Sequence, residues 1–265
     1  MADRAEHKKE LARDSALSTI PKVFHFIWVG DESKRPDACF ETWRRLNPGF
    51  ELKVWGNHEA ENRGWRLKLH MNEMWRTGQL FGVADLMRWE ILLNEGGFAL
   101  DADSIAVEPL PDWLFHCTAF ACWENELISP GVIANGYFGC RPDDRLIRHL
   151  VEKFESEKHL ATKFVWYKLR RKTVAAWKSV GPRPLTAAFH DLGYSELTLL
   201  PSHFFCPRHL TGHTYNGSGP IYCDQLFASS RPNGYQHLSL HENSPESLID
   251  LARERLNMND AEGEV

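Results

Sequence analysis

The sequence lacks long apolar runs, and its six cysteines include no Cys-x-x-Cys pair. Because no window of about 18 residues is apolar, the sequence predicts no membrane-spanning helix. The cysteine content is too low for a small disulfide-stapled scaffold, so we expect reduced thiols in a cytoplasmic chain. A net charge of -5 and a pI near 6.2 leave no excess of positive charge. This balance argues against nucleic acid as the main partner.

The composition that is present is typical of one folded domain. The chain has 265 residues, of which 43% are hydrophobic and 25% are charged. Residues 1–19 alternate in charge and predict a polar, frayed leader, whereas residues 257–265 are acidic and predict a disordered tail. We expect residues 20–256 to form a single domain.

Strand-like and helix-like segments alternate along the chain. An apolar run at residues 23–29 stops at a Gly-Asp pair and predicts a buried central strand. Helical spacing at 37–46 precedes a strand at 51–55, and helical spacing at 79–94 precedes a Gly-Gly stop and a strand at 98–100. The same patterns predict later strands at 118–123 and 135–140, and helices at 143–157 and 162–178. The predicted fold class is α/β, with a mixed, mostly parallel sheet flanked by helices.

Asp101 and Asp103 directly follow the strand predicted at 98–100. Side chains alternate along a strand, so two acids separated by Ala102 are expected to point the same way and share one site. Two like charges that close are stabilised by a cation, and ligands that are all oxygen favour Mg²⁺ or Mn²⁺. Ligands of open α/β sheets bind at the carboxyl ends of strands, which distinguishes this pair from a solvated Asp-x-Asp turn.

Asp85 and Arg88 are charged residues on an otherwise apolar helical segment. Their spacing of three puts them on one face of the helix. Buried charges have to be paired, so one interpretation is a structural ion pair between the two. The other is that they present an acceptor and donors to the hydroxyl groups of a ligand.

Three features together resemble the Asp-x-Asp glycosyltransferases of the family 32 type: the strand IPKVFHFIWVG, the stretch VADLMRWEILLNEGGFALDADSI and the spacing between them. The resemblance covers residues 20–140. It implies a GT-A fold, a nucleotide-sugar donor, an Mn²⁺ or Mg²⁺ ion and transfer with retention of anomeric configuration. It also implies a glycan, a glycolipid or another hydroxyl compound as acceptor, with a UDP-sugar favoured over GDP-mannose as donor.

The resemblance implies that Trp28, Asp85, Arg88, Asp101 and Asn135 bind the donor. Trp28 matches a tryptophan that stacks on the nucleobase. Asp85 and Arg88 match residues that contact the ribose and the donor sugar, and Arg88 is also implied to be catalytic. Asn135 resembles an asparagine near the donor sugar, and Gly181-Pro182 resembles a Gly-Pro loop late in the fold.

The resemblance also implies the metal ligands. Asp101 matches the acid that contacts the ribose or a metal-bound water, and Asp103 matches the direct metal ligand; both are implied to be catalytic. The histidine that such enzymes often carry near their C-terminal end has no close match here. We favour His237 as the additional metal ligand, with His241 or Glu242 behind it.

Two other functions stay open from the sequence. The segment FALDADSI also resembles the first motif of the haloacid dehalogenase phosphatases, in which the first Asp is a nucleophile and the second an acid. A non-catalytic sugar-binding module would keep the same pocket.

The segment Lys163–Lys178 is basic and aromatic and contains no acid. The segment is predicted to be a helix, and one interpretation is that this helix rests on an anionic membrane surface, at the inner face of the membrane, and meets a lipid-linked acceptor. The alternative interpretation is a solvated helix face whose aromatic residues pack inward.

Overall fold

The computed structural model describes residues 19–165, 169–228 and 244–257. The strands are β1 Val23–Ile27, β2 Glu51–Trp55, β3 Gly97–Leu100, β4 Ser104–Ala106, β5 Ala119–Asn125, β6 Ser129–Cys140, β7 Thr162–Val165, β8 Arg170–Thr173, β9 Leu197–Leu200 and β10 Cys223–Gln225. The α-helices are α1 Asp37–Leu46, α2 Asn57–Asn62, α3 Lys68–Arg76, α4 Leu80–Glu95, α5 Arg145–Ser156, α6 Ala176–Ser179, α7 Pro182–Asp191 and α8 Pro245–Arg255. Short 3-10 helices lie at Glu32–Lys34, Asp112–His116 and Ser202–Phe204.

The central sheet has six strands in the order β2-β1-β3-β6-β5-β9. The pairs β1–β2, β1–β3 and β5–β9 are parallel, and β6 runs antiparallel to both β3 and β5. This confirms the predicted mixed, mostly parallel sheet. Phe26 of β1 pairs with Leu100 of β3, so the carboxyl ends of these two strands lie at the same edge of the sheet.

Each face of the sheet is covered by an apolar cluster with its own helix. Ala99 of β3 belongs to the cluster that contains Trp89 of α4. Phe98 and Leu100 of the same strand belong to the cluster that contains Trp43 of α1. The alternation follows from the period of two in a strand. Helices therefore flank both faces, as predicted.

The helix before the acidic pair ends as the sequence predicts. Helix α4 has buried residues on most sides and stops at Gly96, whose φ of 62° is a left-handed conformation that favours glycine. Gly97 also has a positive φ, and a Cβ built on it would lie 2.8 Å from Nε2 of His25. The two glycines let the chain turn directly from α4 into β3, and this turn delivers Asp101 to the edge of the sheet.

The helix predicted at 162–178 is wrong. Strands β7 and β8 instead form an antiparallel hairpin, in which Thr162 pairs with Thr173, and the helical residues in the described part of this segment belong to Ala176–Ser179. A long helix needs an apolar stripe to bury, and every residue of β8 is exposed. β-branched residues at the strand ends favour the extended form.

Two further predictions need correction. Strand β6 begins at Ser129 and not at residue 135, because the strand continues through an irregular pairing with β5. Gly181-Pro182 begins helix α7: Gly181 is the residue before the helix and Pro182 is its first residue, a position where the missing N–H of proline costs nothing.

Several predictions lie outside the described residues. These are the leader up to residue 18, the tail from residue 258 and the proposed ligands His237, His241 and Glu242. In the described part of the chain, no helix combines the length and apolar character that crossing a membrane requires. All six cysteines are described, and each is a free thiol.

Candidate functional site

Asp101 lies against β6 where that strand carries a glycine. Leu100 pairs with Tyr137, so Gly136 lies beside Asp101. A Cβ built on Gly136 would lie 2.4 Å from Oδ2 of Asp101 and 2.7 Å from its Cγ. Since real Cβ atoms do not approach other heavy atoms this closely, glycine at 136 is what allows the Asp101 carboxylate to occupy its position.

Arg88 joins three parts of the fold at this edge. Its Nη2 donates to Oδ1 of Asp101 at 2.7 Å, and its Nη1 donates to the backbone oxygen of Asn135 at 2.5 Å. The side chain is only 5% exposed. The guanidinium therefore holds α4, the end of β3 and β6 together in one arrangement.

Asp85 belongs to the same group but is not the main partner of Arg88. Its Oδ1 lies 3.6 Å from Nη1 of Arg88 and accepts a hydrogen bond of 2.7 Å from Nδ2 of Asn135. Burial raises the pKa of Asp85 to about 7, against the opposing effect of the Arg88 guanidinium, and Asp101 adds to the rise. Arg88 forms its close ion pair with Asp101. The interpretation as a structural ion pair between Asp85 and Arg88 alone therefore does not account for the contacts of Arg88.

Asp101 and Asp103 share one hydrogen-bond donor, as expected for two acids in a common site. The predicted reason, alternation of side chains along a strand, is wrong. Asp101-Ala102-Asp103 forms a turn between β3 and β4. The two carboxylates meet at Nε2 of Gln225, which lies 3.4 Å from Oδ2 of Asp101 and 3.1 Å from Oδ1 of Asp103. The Tyr137 hydroxyl donates to Oε1 of Gln225 and thereby orients the amide.

The two acids differ in accessibility. Asp103 is buried, and its Oδ2 accepts a bond of 2.6 Å from the backbone N–H of Ala228. Burial raises the pKa of Asp103 to about 6, and the nearby Asp101 carboxylate raises it further. The Asp101 side chain is 35% exposed. An incoming ligand therefore reaches Asp101 first, while the oxygens of Asp103 already accept bonds from the protein.

Trp28 lies at the same edge, just beyond the end of β1. Phe26 pairs with Leu100, so the parallel register brings Trp28 alongside the turn that carries the acids. Its backbone N–H donates to the carbonyl of Trp55 at 2.8 Å, and its Nε1 donates to the carbonyl of Asp31 at 3.0 Å. The indole is thus fixed on a scaffold and only partly buried.

The donor set fits a divalent cation held jointly with a ligand. Asp101 and Asp103 supply the hard oxygen ligands that Mg²⁺ and Mn²⁺ prefer. In residues 19–165, 169–228 and 244–257, no group of three or more His, Cys, Asp or Glu side chains could hold a metal ion. A cation at this edge therefore needs further ligands, such as phosphate oxygens or water.

The residues that complete the site were not predicted. Gln225 and Ala228 hold the acids from a segment more than a hundred positions later, and no spacing in the sequence connects them to Asp103. Gly136 gives a weak signal, since it follows Asn135 and a strand glycine can mark close approach by a neighbour. The fold and site thus define an α/β protein with a carboxylate, guanidinium and amide cluster at the carboxyl edge of its sheet.

Comparisons with known proteins give one relative by sequence. No family model matches the chain. Over an alignment of 161 residues, which covers 51% of this chain, the sequence is 25% identical to the Subversion of eukaryotic traffic protein A of Legionella pneumophila subsp. pneumophila, strain Philadelphia 1. The match spans only 25% of the length of that relative.

Similar solved structures include two glycosyltransferase domains. The PaToxG glycosyltransferase is 14% identical, with 66% of this chain and 70% of that chain covered and a TM-score of 0.47. The UDP-bound glycosyltransferase domain from the YGT toxin is 9% identical, with 69% and 80% covered and a TM-score of 0.46.

Proposed function

We propose that the chain is a metal-dependent glycosyltransferase of the GT-A type, which transfers a sugar from a nucleotide-sugar donor to a hydroxyl group of a glycan, glycolipid or other acceptor. The observation that carries the proposal is the convergence of charged and amide side chains around Arg88 at the carboxyl edge of the sheet. Those side chains are Asp85, Asp101, Asp103, Asn135 and Gln225. The resemblance in sequence implies a donor site at Asp85, Arg88, Asp101, Asp103 and Asn135, and it favours a UDP-sugar as the donor.

The residues of the site suit a donor that carries a diphosphate and a sugar. A divalent ion held by Asp101 and Asp103 would offset the charge on the diphosphate as it leaves. The Nε of Arg88 is buried and has no hydrogen-bond partner within the described ranges. An oxygen of the nucleotide-sugar could accept a hydrogen bond from it. Asp85 offers an acceptor to a ribose or sugar hydroxyl, and the resemblance assigns the nucleobase to Trp28, at the same edge of the sheet.

We also propose that transfer retains the anomeric configuration, as the resemblance implies. The transition state resembles an oxocarbenium ion, which nearby carboxylate oxygens stabilise without a covalent nucleophile. The leaving phosphate then takes the proton of the acceptor hydroxyl on the same face of the sugar. NMR of the product tests this directly, and an inverted anomer would contradict it.

A thermal-shift panel of UDP, GDP and their sugar conjugates, with and without Mn²⁺, tests the proposed donor and metal. A ligand that binds only the folded state raises the melting temperature, so we expect a shift with UDP compounds that depends on Mn²⁺. Asp101→Asn should abolish this shift and the hydrolysis of the donor. Asp112→Asn, at an exposed acid that pairs with Lys22, is the matched control and should change neither.

Other outcomes identify the alternative functions. Hydrolysis of an aryl phosphate without binding of nucleotide-sugars would identify a phosphatase. Binding of a sugar compound without hydrolysis or transfer would identify a binding module. A panel with no shift for any nucleotide, with or without Mn²⁺, would contradict the proposed donor class.

A further inference from the structure

The hairpin and the short helix that follow α5 form a basic surface, defined by Lys163, Arg170, Arg171, Lys172, Trp177 and Lys178. The sequence from residue 162 to residue 183 contains no Asp or Glu, in a chain whose net charge is -5. Every residue of β8 is exposed, so its three basic side chains face solvent. Positive charge is therefore concentrated on one part of an acidic protein.

The charges of the basic surface are not neutralised by the fold. Among the described residues, Lys163, Arg170 and Lys172 form no ion pair, and Arg171 donates only to Oγ1 of Thr162, at 3.4 Å. The acid that contacts the hairpin is Glu73, which accepts from the same Thr162 hydroxyl at 2.8 Å and pairs with His159. A structural role in ion pairing does not account for this charge.

Apolar side chains are exposed next to the cations. Leu169 is 80% exposed, Trp177 is 46% exposed and Phe164 is 42% exposed. Lys178 and Arg183 lie over the Trp177 ring, with distances to its centroid of 4.8 Å and 4.6 Å. Exposed aromatic and aliphatic groups flanked by Lys and Arg are the composition that binds the interface of an anionic bilayer.

The basic surface borders the candidate site. A Cβ built on Gly181 would lie 2.9 Å from Cα of Trp177 and 3.2 Å from Oδ2 of Asp85. The absence of a side chain at 181 thus lets helix α6 approach the Asp85 carboxylate. A membrane that contacts the protein at Trp177 therefore places its lipid molecules close to the candidate site.

We propose that the basic surface docks on an anionic lipid bilayer and presents the candidate site to an acceptor held at that membrane. Charge complementarity and the exposed apolar groups support the docking, and the contact through Gly181 supports the position of the site. The statement about the acceptor rests on the proposed glycosyltransferase function. The docking itself does not.

Vesicle flotation tests the docking. The chain is mixed with vesicles of phosphatidylcholine alone and with vesicles that also contain phosphatidylserine, in the absence of nucleotide and divalent cation. We expect binding only to the anionic vesicles and loss of binding at high salt, because surface charges are screened. Each basic residue removed should weaken binding by about fivefold, which corresponds to about 1 kcal/mol per charge.

Two sets of variants test whether binding depends on the basic surface or only on the total charge of the protein. The triple variant Arg170→Gln, Arg171→Gln, Lys172→Gln changes only exposed side chains and should weaken binding by about a hundredfold. The control triple variant Lys34→Gln, Arg44→Gln, Arg45→Gln removes the same charge near helix α1, on the opposite face of the sheet, and should bind as the wild type does. Leu169→Ser should weaken binding without changing its dependence on salt.

Equal losses in the two triple variants, or equal binding to neutral vesicles, would overturn the proposal. Binding to polyglutamate with no binding to vesicles would assign the surface to an acidic protein instead. Because the flotation assay contains no donor, its result is independent of the nucleotide panel. A protein that floats but does not bind nucleotide would keep the docking and remove the glycosyltransferase function.

Discussion

Gly136 decides where the Asp101 carboxylate lies, because a methyl group at 136 would lie only 2.4 Å from its Oδ2. We expect Gly136→Ala to displace the carboxylate and break its bond to Arg88. A displacement of this size should reduce donor hydrolysis by about a hundredfold. It should also reduce the melting shift with Mn²⁺ and UDP. Gly64→Ala is the control, since a Cβ there has no neighbour within 4 Å. Activity retained in Gly136→Ala would contradict this role.

Gln225 reduces the repulsion between two acids by donating to both. In Gln225→Ala without metal, we expect the free energy of unfolding to fall by about 1–3 kcal/mol, because a buried hydrogen bond of Asp103 is lost. With Mn²⁺ the loss should be smaller, since the cation takes over the same charge. Urea unfolding with Mn²⁺ and with EDTA measures both values. Equal losses in the two conditions would show that Gln225 is only structural.

At the scale of elements, strand β1 depends on a neutral histidine. His25 is fully buried; its Nδ1 accepts from Nε1 of Trp55 at 3.1 Å and its Nε2 donates to the carbonyl of Gly96 at 2.9 Å. Burial lowers the pKa of His25 from 6.5 to about 4. The unfolded chain therefore binds the proton more readily, and the stability that the neutral form contributes is complete above pH 6.5 and is lost as the pH falls to about 4.

We expect the difference in unfolding free energy between the wild type and His25→Gln to shrink by about 3 kcal/mol as the pH falls through this window. Other titrating groups are shared by the two proteins and cancel in the difference. Urea unfolding at steps between the two pKa values measures it. His58→Gln, at an exposed position, is the control. A constant difference for His25→Gln would exclude this effect.

Local signals explain which elements were predictable. The order of α4, the Gly-Gly turn and β3 follows from helical spacing and from two positive φ angles, so Asp101 was correctly expected at a strand end. The hairpin of β7 and β8 was missed because its spacing suits a helix as well as a strand, and no apolar face decides between them. Gln225 could not be predicted, because it acts through a contact over 122 residues.

At the scale of the whole molecule, Asp224 connects the late part of the chain to the site. Its carboxylate is fully buried and accepts from Arg208 at 2.6 Å and 2.8 Å, and from Nε of Arg255 in helix α8 at 3.0 Å. We expect Asp224→Ala to lower the free energy of unfolding by about 3 kcal/mol, because two guanidinium groups lose their partner. Since Gln225 is the next residue, the shift with Mn²⁺ should also fall.

Chemical denaturation and the thermal-shift panel measure these two effects. Asp191→Ala is the control, because Asp191 is exposed and lies 3.9 Å from Lys153. An unfolding free energy within about 0.5 kcal/mol of the wild type would contradict the importance of the Asp224 contacts.

Gln225 is synthesised well after Asp103, and this order has a consequence for folding during translation. In a nascent polypeptide, Asp103 leaves the ribosome 122 residues ahead of the amide that holds it. A fragment released before strand β10 keeps the two carboxylates and Arg88, but it lacks Gln225 and Ala228, which hold Asp103. Under the proposed function, incomplete copies are therefore expected to be inactive towards the nucleotide-sugar until translation has passed strand β10.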